Sequence, residues 1–216
     1  MALITGGEGE LAVALQSHLN SAGWQVLAPG RQELDVTSVE SVRDYFAGVS
    51  RLTLLVNNAG VRRDAIMLQQ LEEDWQTVVD TCLRGAFLCS RAAAYLMAAQ
   101  RSGHIVNIGS HSALTGPAGQ SAYAAAKAGV TALTKSLAAE LGPENIRVNC
   151  LLPGWLETKF TWDVPAAART RALEAQVLGR FNTVEDTARF IGFLHTMSAV
   201  SGQVFLLDSR ISRSGI

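Results

Sequence analysis

The sequence predicts an α/β fold built on one doubly wound parallel sheet. Short apolar runs alternate with longer helical stretches from end to end. The runs are branched and leucine-rich instead of alternating apolar with polar, as strands covered on both faces are. Glycines gather where the first run turns into the first helix. Strand–helix alternation with such a turn winds a parallel sheet.

The strands are expected at Ala2–Thr5, Gln25–Ala28, Leu52–Asn57, His104–Ile108, Arg147–Leu152 and Val204–Leu207, and the helices at Glu10–Ala22, Val39–Val49, Glu72–Arg101, Ser121–Leu141, Ala166–Leu178 and Glu185–Thr196. The crossover after the second strand looks shortened. Only Pro29–Leu34 separates that strand from Asp35-Val36-Thr37, whereas a full βαβ crossover needs a dozen or more residues. A helix is therefore expected to be missing there, with Glu33–Val36 at most a stub of strand.

Composition bounds the function. The chain has 216 residues, 48% of them hydrophobic and 17% charged, which predicts a single domain over 1–216 with a sizeable core and excludes disorder. Its 18 basic and 19 acidic side chains leave a net charge of −1, which gives no reason to hold nucleic acid. Cys82, Cys89 and Cys150 make neither an even disulfide framework nor a C-x-x-C pair. No run is long enough to span a membrane. The opening MALITGG has no basic n-region, so a cytoplasmic protein is expected.

Thr5-Gly6-Gly7-Glu8-Gly9-Glu10-Leu11-Ala12 follows the first strand and opens the first helix. Glycines there let the backbone approach a pyrophosphate, and the helix N-terminus offers N–H donors. This points to a dinucleotide site in a Rossmann-type domain. The spacing G-x-x-G-x-x-A is one residue tighter than usual. A carboxylate at the end of the second strand would favour NAD by accepting from the ribose 2′-OH. Gly30 and Arg31 stand there instead, and a guanidinium suits a 2′-phosphate, so NADP(H) is preferred with NAD(H) possible. Glu8 opposes that preference if it lies close.

Tyr123-Ala-Ala-Ala-Lys127 puts a phenol and an ammonium at i and i+4 of one helix face. A nearby cation favours phenolate and makes Tyr123 a competent acid–base group. Ser110 follows the strand His104–Ile108, at the strand end where ligands bind in such sheets, and its hydroxyl can donate to a carbonyl oxygen.

With these residues in view, the chain resembles the short-chain dehydrogenase/reductase family, most closely the 3-oxoacyl-(acyl carrier protein) reductases. The resemblance rests on TGGEGELA, DVTS at Asp35–Ser38, NNAG at Asn57–Gly60, RRD at Arg62–Asp64, Ser110 with Tyr123-x-x-x-Lys127, PGWLET at Pro153–Thr158 and VSGQVFLLD at Val200–Asp208. It covers essentially the whole chain. It implies that Tyr123 protonates a carbonyl oxygen as hydride arrives, that Lys127 holds the nicotinamide ribose and lowers the tyrosine pKa, and that Ser110 polarises the carbonyl. Thr5, Gly6 and Gly9 would belong to the phosphate loop. Asp35 and Val36 would flank adenine, Asn57, Asn58, Ala59 and Gly60 would pack beside the adenosine ribose, Leu156 and Thr158 would fix the carboxamide, and Pro153 and Gly154 of the same run would also bind the cofactor. The family works without a metal, and no metal-ligand spacing occurs in this sequence.

The sequence departs from the family at four places. Cys82 replaces the asparagine that carries a relay water, which predicts altered activity and not its loss. The phosphate loop is short and ends in Ala12, the crossover at Pro29–Leu34 is trimmed, and the usual D-G-G reads Asp208-Ser209-Arg210. Of the two basic residues that dock carrier protein, Arg101 matches one, but Glu144 stands in place of the other. His111 is a candidate substrate contact, whereas His18, His104 and His195 have no ligand spacing. Trp155, Phe160 and Trp162 fall in the family's substrate lid, and Arg62 and Arg63 are placed to attract an anionic substrate. The long helices imply a homo-oligomer, a dimer or tetramer. Three functions stay open: reduction of a 3-oxoacyl thioester or related small-molecule carbonyl, oxidation of an alcohol or sugar, and a catalytically weakened cofactor-binding subunit.

Overall fold

Alternate residues of each strand feed opposite faces of the sheet, and the chain supplies apolar side chains to both. In the computed structural model, which describes residues 1–211, the six strands are β1 (Ala2–Ile4), β2 (Val26–Leu27), β3 (Leu54–Asn57), β4 (Gly103–Ile108), β5 (Ile146–Leu152) and β6 (Val204–Leu206). All pairs are parallel, in the order β2-β1-β3-β4-β5-β6. Residues 212–216 of the expected single domain lie outside the described residues.

The helices are α1 (Glu10–Ser21), α2 (Val39–Ala47), α3 (Glu72–Val79), α4 (Gly85–Gln100), α5 (Ser112–Thr115), α6 (Ser121–Leu141), α7 (Ala166–Glu174) and α8 (Val184–Thr196). Leu11, Leu15 and Leu19 of α1 and Ile191 of α8 cover one face, over Ala2, Ile4, Leu54, Val56 and Val106. Val42 and Phe46 of α2 and Leu88, Cys89 and Met97 of α4 cover the other, over Leu3, Leu55, Ile105 and Val148. The period-2 alternation of a strand divides the core in this way. The chain turns back between β1 and β3, which opens a crevice at the carboxyl ends of the strands.

Four segments differ from expectation. Glu33–Val36 does not pair as a strand. Its backbone closes turns instead, with Glu33 N and Leu34 N donating to Gly30 O at 3.1 and 3.0 Å, Asp35 N donating to Ser41 Oγ at 3.0 Å and Thr37 N to Asp35 Oδ1 at 2.9 Å. Leu34 and Val36 are thereby drawn into the core. No helix or strand lies between β2 and α2, as the short crossover predicts. The single helix expected over Glu72–Arg101 is broken by a π turn at Asp80–Arg84. Beyond it Gly85 touches α2's approach, since a Cβ there would sit 2.7 Å from Val36 Cγ2. The helix expected over Ala166–Leu178 ends at Glu174, and the one-turn α5 was not foreseen because a single turn carries no periodicity.

Candidate active site

The glycine loop is shaped for close approach. Gly6 has φ +67°, and a Cβ on Gly7 would lie 1.9 Å from Ala28 O, so the loop rests on the end of β2 with no room for a side chain. Gly9 caps α1 without a side-chain hydrogen bond, which leaves the helix N-terminus to a ligand. Asn58 Nδ2 donates to Thr5 O and Gly6 O at 3.1 and 3.2 Å, and Asn58 N and Ala59 N each donate to Thr5 Oγ1 at 3.0 Å. The post-β3 turn and the loop are thus held as one unit.

A cavity of about 1370 Å³ runs from this loop across the strand ends. Gly6, Gly9, Arg31, Asp35, Val36, Asn58, Ala59, Gly60, Ser110, Tyr123, Lys127, Pro153, Gly154, Leu156 and Thr158 all line it. Thr5, Asn57 and Cys82 stand behind its wall. Asn57 is spent on the protein: its Nδ2 donates to Ser90 Oγ and Asn107 Oδ1 at 2.8 Å each, and Asn107 Nδ2 donates to Thr134 Oγ1 at 2.9 Å. These buried amides lock β3 and β4 to α4 and α6. Sequence reasoning placed Asn57 at a ribose because a motif does not separate a wall residue from one that supports it.

At one end of the cavity α6 places Tyr123 and Lys127, both buried. Lys127 Nζ lies 5.7 Å from the Tyr123 ring centroid and donates to Ile108 O at 2.7 Å. Burial pushes the Tyr123 phenol above its ordinary value, and the Lys127 ammonium, Ser110 and Arg62 pull against that rise. The sequence expectation of a phenol drawn toward neutrality is thus corrected, because desolvation outweighs the cation. Burial alone would lower Lys127, but Tyr123 and the Cys82 and Cys150 sulfurs outweigh it, so its pKa is raised and it stays an ammonium. Ser110 Oγ accepts from Ser112 N at 3.1 Å, which leaves its own hydrogen to donate elsewhere. Cys82 sits in the π turn and donates to Val61 O at 3.4 Å.

The cofactor end carries mixed charge. The Arg31 side chain is 78% exposed and lies 3.7 Å from Asp35 Oδ2. A Cβ on Gly30 would be 2.8 Å from Glu8 Oε1, so Glu8 stands against Gly30, the neighbour of Arg31 in the chain, while the nearest carboxylate to the Arg31 guanidinium is Asp35. The glycine cradle, the open helix N-terminus and a crevice reaching Lys127 fit a nicotinamide dinucleotide.

At the substrate end α7 turns Ala167, Ala168 and Ala172 to the cavity beside Arg171, and Ala175 just after the helix joins them. Trp155 and Phe160 line it, with Trp155 stacked on Phe181 at 5.4 Å. Trp162 is 84% exposed and does not line it. His111 lines it, and burial lowers its pKa. Arg62 pairs with Asp64 and Asp163 and is occupied by them, whereas the half-exposed Arg63 lies 3.4 Å from Asp74 and does not line the cavity. Gly154, with φ +81°, abuts Asp208, whose carboxylate is 1% exposed and pairs with Arg210. Ser209 N and Oγ both donate to Gln176 Oε1, at 2.9 and 3.0 Å, so the altered C-terminal motif anchors the segment after α7. Arg101 and Glu144 bond to each other at 3.0 Å.

Comparison with known proteins agrees with this geometry. A family model described as enoyl-(acyl carrier protein) reductase matches residues 10–209. The chain is 41% identical to the 3-oxoacyl-[acyl-carrier-protein] reductase FabG of Thermotoga maritima over 189 residues, covering 83% of this chain and 77% of that one. It is 38% identical to the 3-oxoacyl-[acyl-carrier-protein] reductase of Synechocystis sp. over 209 residues, covering 95% and 77%. The Aquifex aeolicus FabG is 37% identical over 208 residues, covering 94% and 83%.

Proposed function

This chain belongs to the short-chain dehydrogenase/reductase family, whose members are NAD(P)-dependent oxidoreductases acting on C=O and CH–OH groups, and we propose that it is an NADPH-dependent carbonyl reductase of 3-oxoacyl thioesters or related small ketones. The observation that carries this reading is the buried Tyr123–Lys127 pair at the end of a cavity that begins at the glycine cradle. The nicotinamide, when bound, supplies the hydride. A phenol is protonated at neutral pH and so holds a proton to give, and the Lys127 ammonium and Ser110 act against the rise that burial imposes. Tyr123 gives its proton to the carbonyl oxygen, the Lys127 ammonium stabilises the phenolate left behind, and Ser110 donates its remaining hydrogen to the same oxygen. Lys127 is also close enough to Gly60 to reach a ribose, since a Cβ there would lie 3.8 Å from its Nζ.

Arg31 at the cavity rim supports NADP(H), because its guanidinium can leave the exposed Asp35 pair, an interaction of little strength, for a 2′-phosphate. Glu8 works against it. The Arg101–Glu144 pair neutralises the surface that would meet an acidic carrier, which favours thioesters not held on carrier protein. Exposed Tyr95 and Phe87 on α4 support a homodimer or homotetramer joined there. No helix among the described residues is long and apolar enough to cross a membrane, in keeping with a cytoplasmic enzyme.

Fluorescence titration with NADPH and NADH, followed by turnover assays on 3-oxoacyl thioesters, simple ketones, alcohols and sugars, tests the proposal. NADPH binding with turnover of the 3-oxo compounds is expected, and Glu8→Gln should tighten NADPH while leaving NADH unchanged. Tighter NADH than NADPH would overturn the role given to Arg31. Binding without turnover would make the protein a cofactor-binding subunit.

A further inference from the structure

Arg62 is partly buried at the mouth of the cavity, with its side chain 12% exposed, and holds two carboxylates at once. One is Asp64, two residues on, at 3.1 Å. The other is Asp163, which belongs to the segment 156–165 that crosses the substrate end. The guanidinium also lies over the Phe160 ring at 5.8 Å, and Phe160 packs on Tyr123 with ring centroids 6.0 Å apart.

From Asp64 a chain of hydrogen bonds leads inward. Gln120 Nε2 donates to Asp64 Oδ2 at 2.9 Å, Ser112 Oγ donates to Gln120 Oε1 at 2.8 Å, and Ser112 N donates to Ser110 Oγ at 3.1 Å. The same guanidinium therefore meets the crossing segment at Asp163 and at Phe160, through which it approaches Tyr123, and on the other side reaches Ser110 through the chain from Asp64. The segment's other end is tied to α1, where Lys159 N donates to Glu10 Oε2 at 2.6 Å.

We propose that Arg62 is a positioning residue for the reaction. It clasps segment 156–165 over the substrate and, through Asp64, Gln120 and Ser112, fixes the Ser110 hydroxyl, so that closure of the pocket and alignment of Ser110 and Tyr123 occur together. Each terminal nitrogen of the guanidinium meets one carboxylate, a planar fork whose reach and geometry a lysine ammonium does not reproduce. The proposal rests on the carbonyl-reductase reading for its kinetic consequences, but not for the clasp itself.

Two kinds of measurement test it on the full-length protein. The first is amide hydrogen exchange of segment 156–165, which needs no turnover. Arg62→Ala, Arg62→Lys and Asp163→Asn should each speed exchange there while α1 to α4 stay protected. The second is kinetics with a 3-oxoacyl thioester and, in reverse, its 3-hydroxy counterpart. Arg62→Ala should lower kcat/KM by about tenfold to a hundredfold, as misplacement of aligned groups does. Tyr123 faces the Lys127 ammonium, Cys82, Ser110 and Arg62, so losing the Arg62 charge should move the pH limb of alcohol oxidation upward. Arg62→Lys keeps the charge and should leave that limb in place. Asp163→Asn should raise KM more than it lowers kcat, with the limb no higher than in the wild type. Unchanged exchange in both Arg62→Ala and Asp163→Asn, or an oxidation limb that Arg62→Ala leaves unmoved, would overturn the proposal. If the wild type turns over no carbonyl or alcohol, the functional reading fails and exchange alone decides the clasp.

Discussion

Proton affinity at single side chains follows from what surrounds them. At Tyr123 burial exceeds the pull of Lys127, which holds the phenol above its ordinary value. Far from the cavity a partly buried group, His195, beside the buried His104, gives stability a pH dependence. His195 stacks on His104 at 5.5 Å and meets Trp24 edge-on at 4.9 Å. Burial lowers its pKa from 6.5 to about 4, helped by Arg147 and the N-terminal ammonium. His104 is lowered for the same reason, with Arg147 and His195 adding to it. Both are neutral in the fold, so the unfolded chain takes up their protons first as pH falls. Stability is therefore full above about 6.5 and declines toward about 4. Thermal unfolding should show Tm falling from pH near 7 to pH near 5, with a smaller fall in His195→Phe. Equal falls in the two proteins would contradict this account.

Elements place those side chains, and their legibility in the sequence varied with how local their cause is. All six strands were readable because branched apolar runs bounded by glycines and helices have few alternatives. The π turn at Asp80–Arg84 was not readable, since the helical pattern of Glu72–Arg101 continues through it and the break serves contact between Gly85 and Val36. The Glu33–Val36 turn was misread as a stub of strand because Leu34 and Val36 are apolar for the core and not for a sheet. The glycine loop shows the opposite case, where sequence and structure coincide at Gly7. A side chain there meets backbone at Ala28 O and not a flexible neighbour. Gly7→Ala should destabilise the protein by about 1–3 kcal/mol, the usual cost of overpacking, and weaken cofactor binding. Chemical denaturation and cofactor titration read the two effects, and a fully stable Gly7→Ala protein with native affinity would refute the close approach.

At the scale of the whole molecule the topology brings distant motifs together. The parallel order β2-β1-β3-β4-β5-β6 sets the ends of β1, β3, β4 and β5 side by side, which is why Gly6, Asn58, Ser110 and Gly154 line one cavity. Most of the motif residues singled out in the sequence line that cavity. What the motifs could not show is which motif residues hold the wall from behind, as Thr5 and Asn57 do, or that Arg62 would be sequestered by two carboxylates contributed from opposite sides of the pocket. Those facts depend on long-range packing. The central claim is that this cavity reduces a carbonyl with Tyr123 as proton donor. The most direct measurement follows NADPH absorbance with a 3-oxoacyl thioester in the wild type and in Tyr123→Phe, with NADPH binding measured in both. The account predicts turnover by the wild type and a loss of about 10²–10⁴-fold in Tyr123→Phe with cofactor binding retained; equal turnover by the two proteins would contradict it.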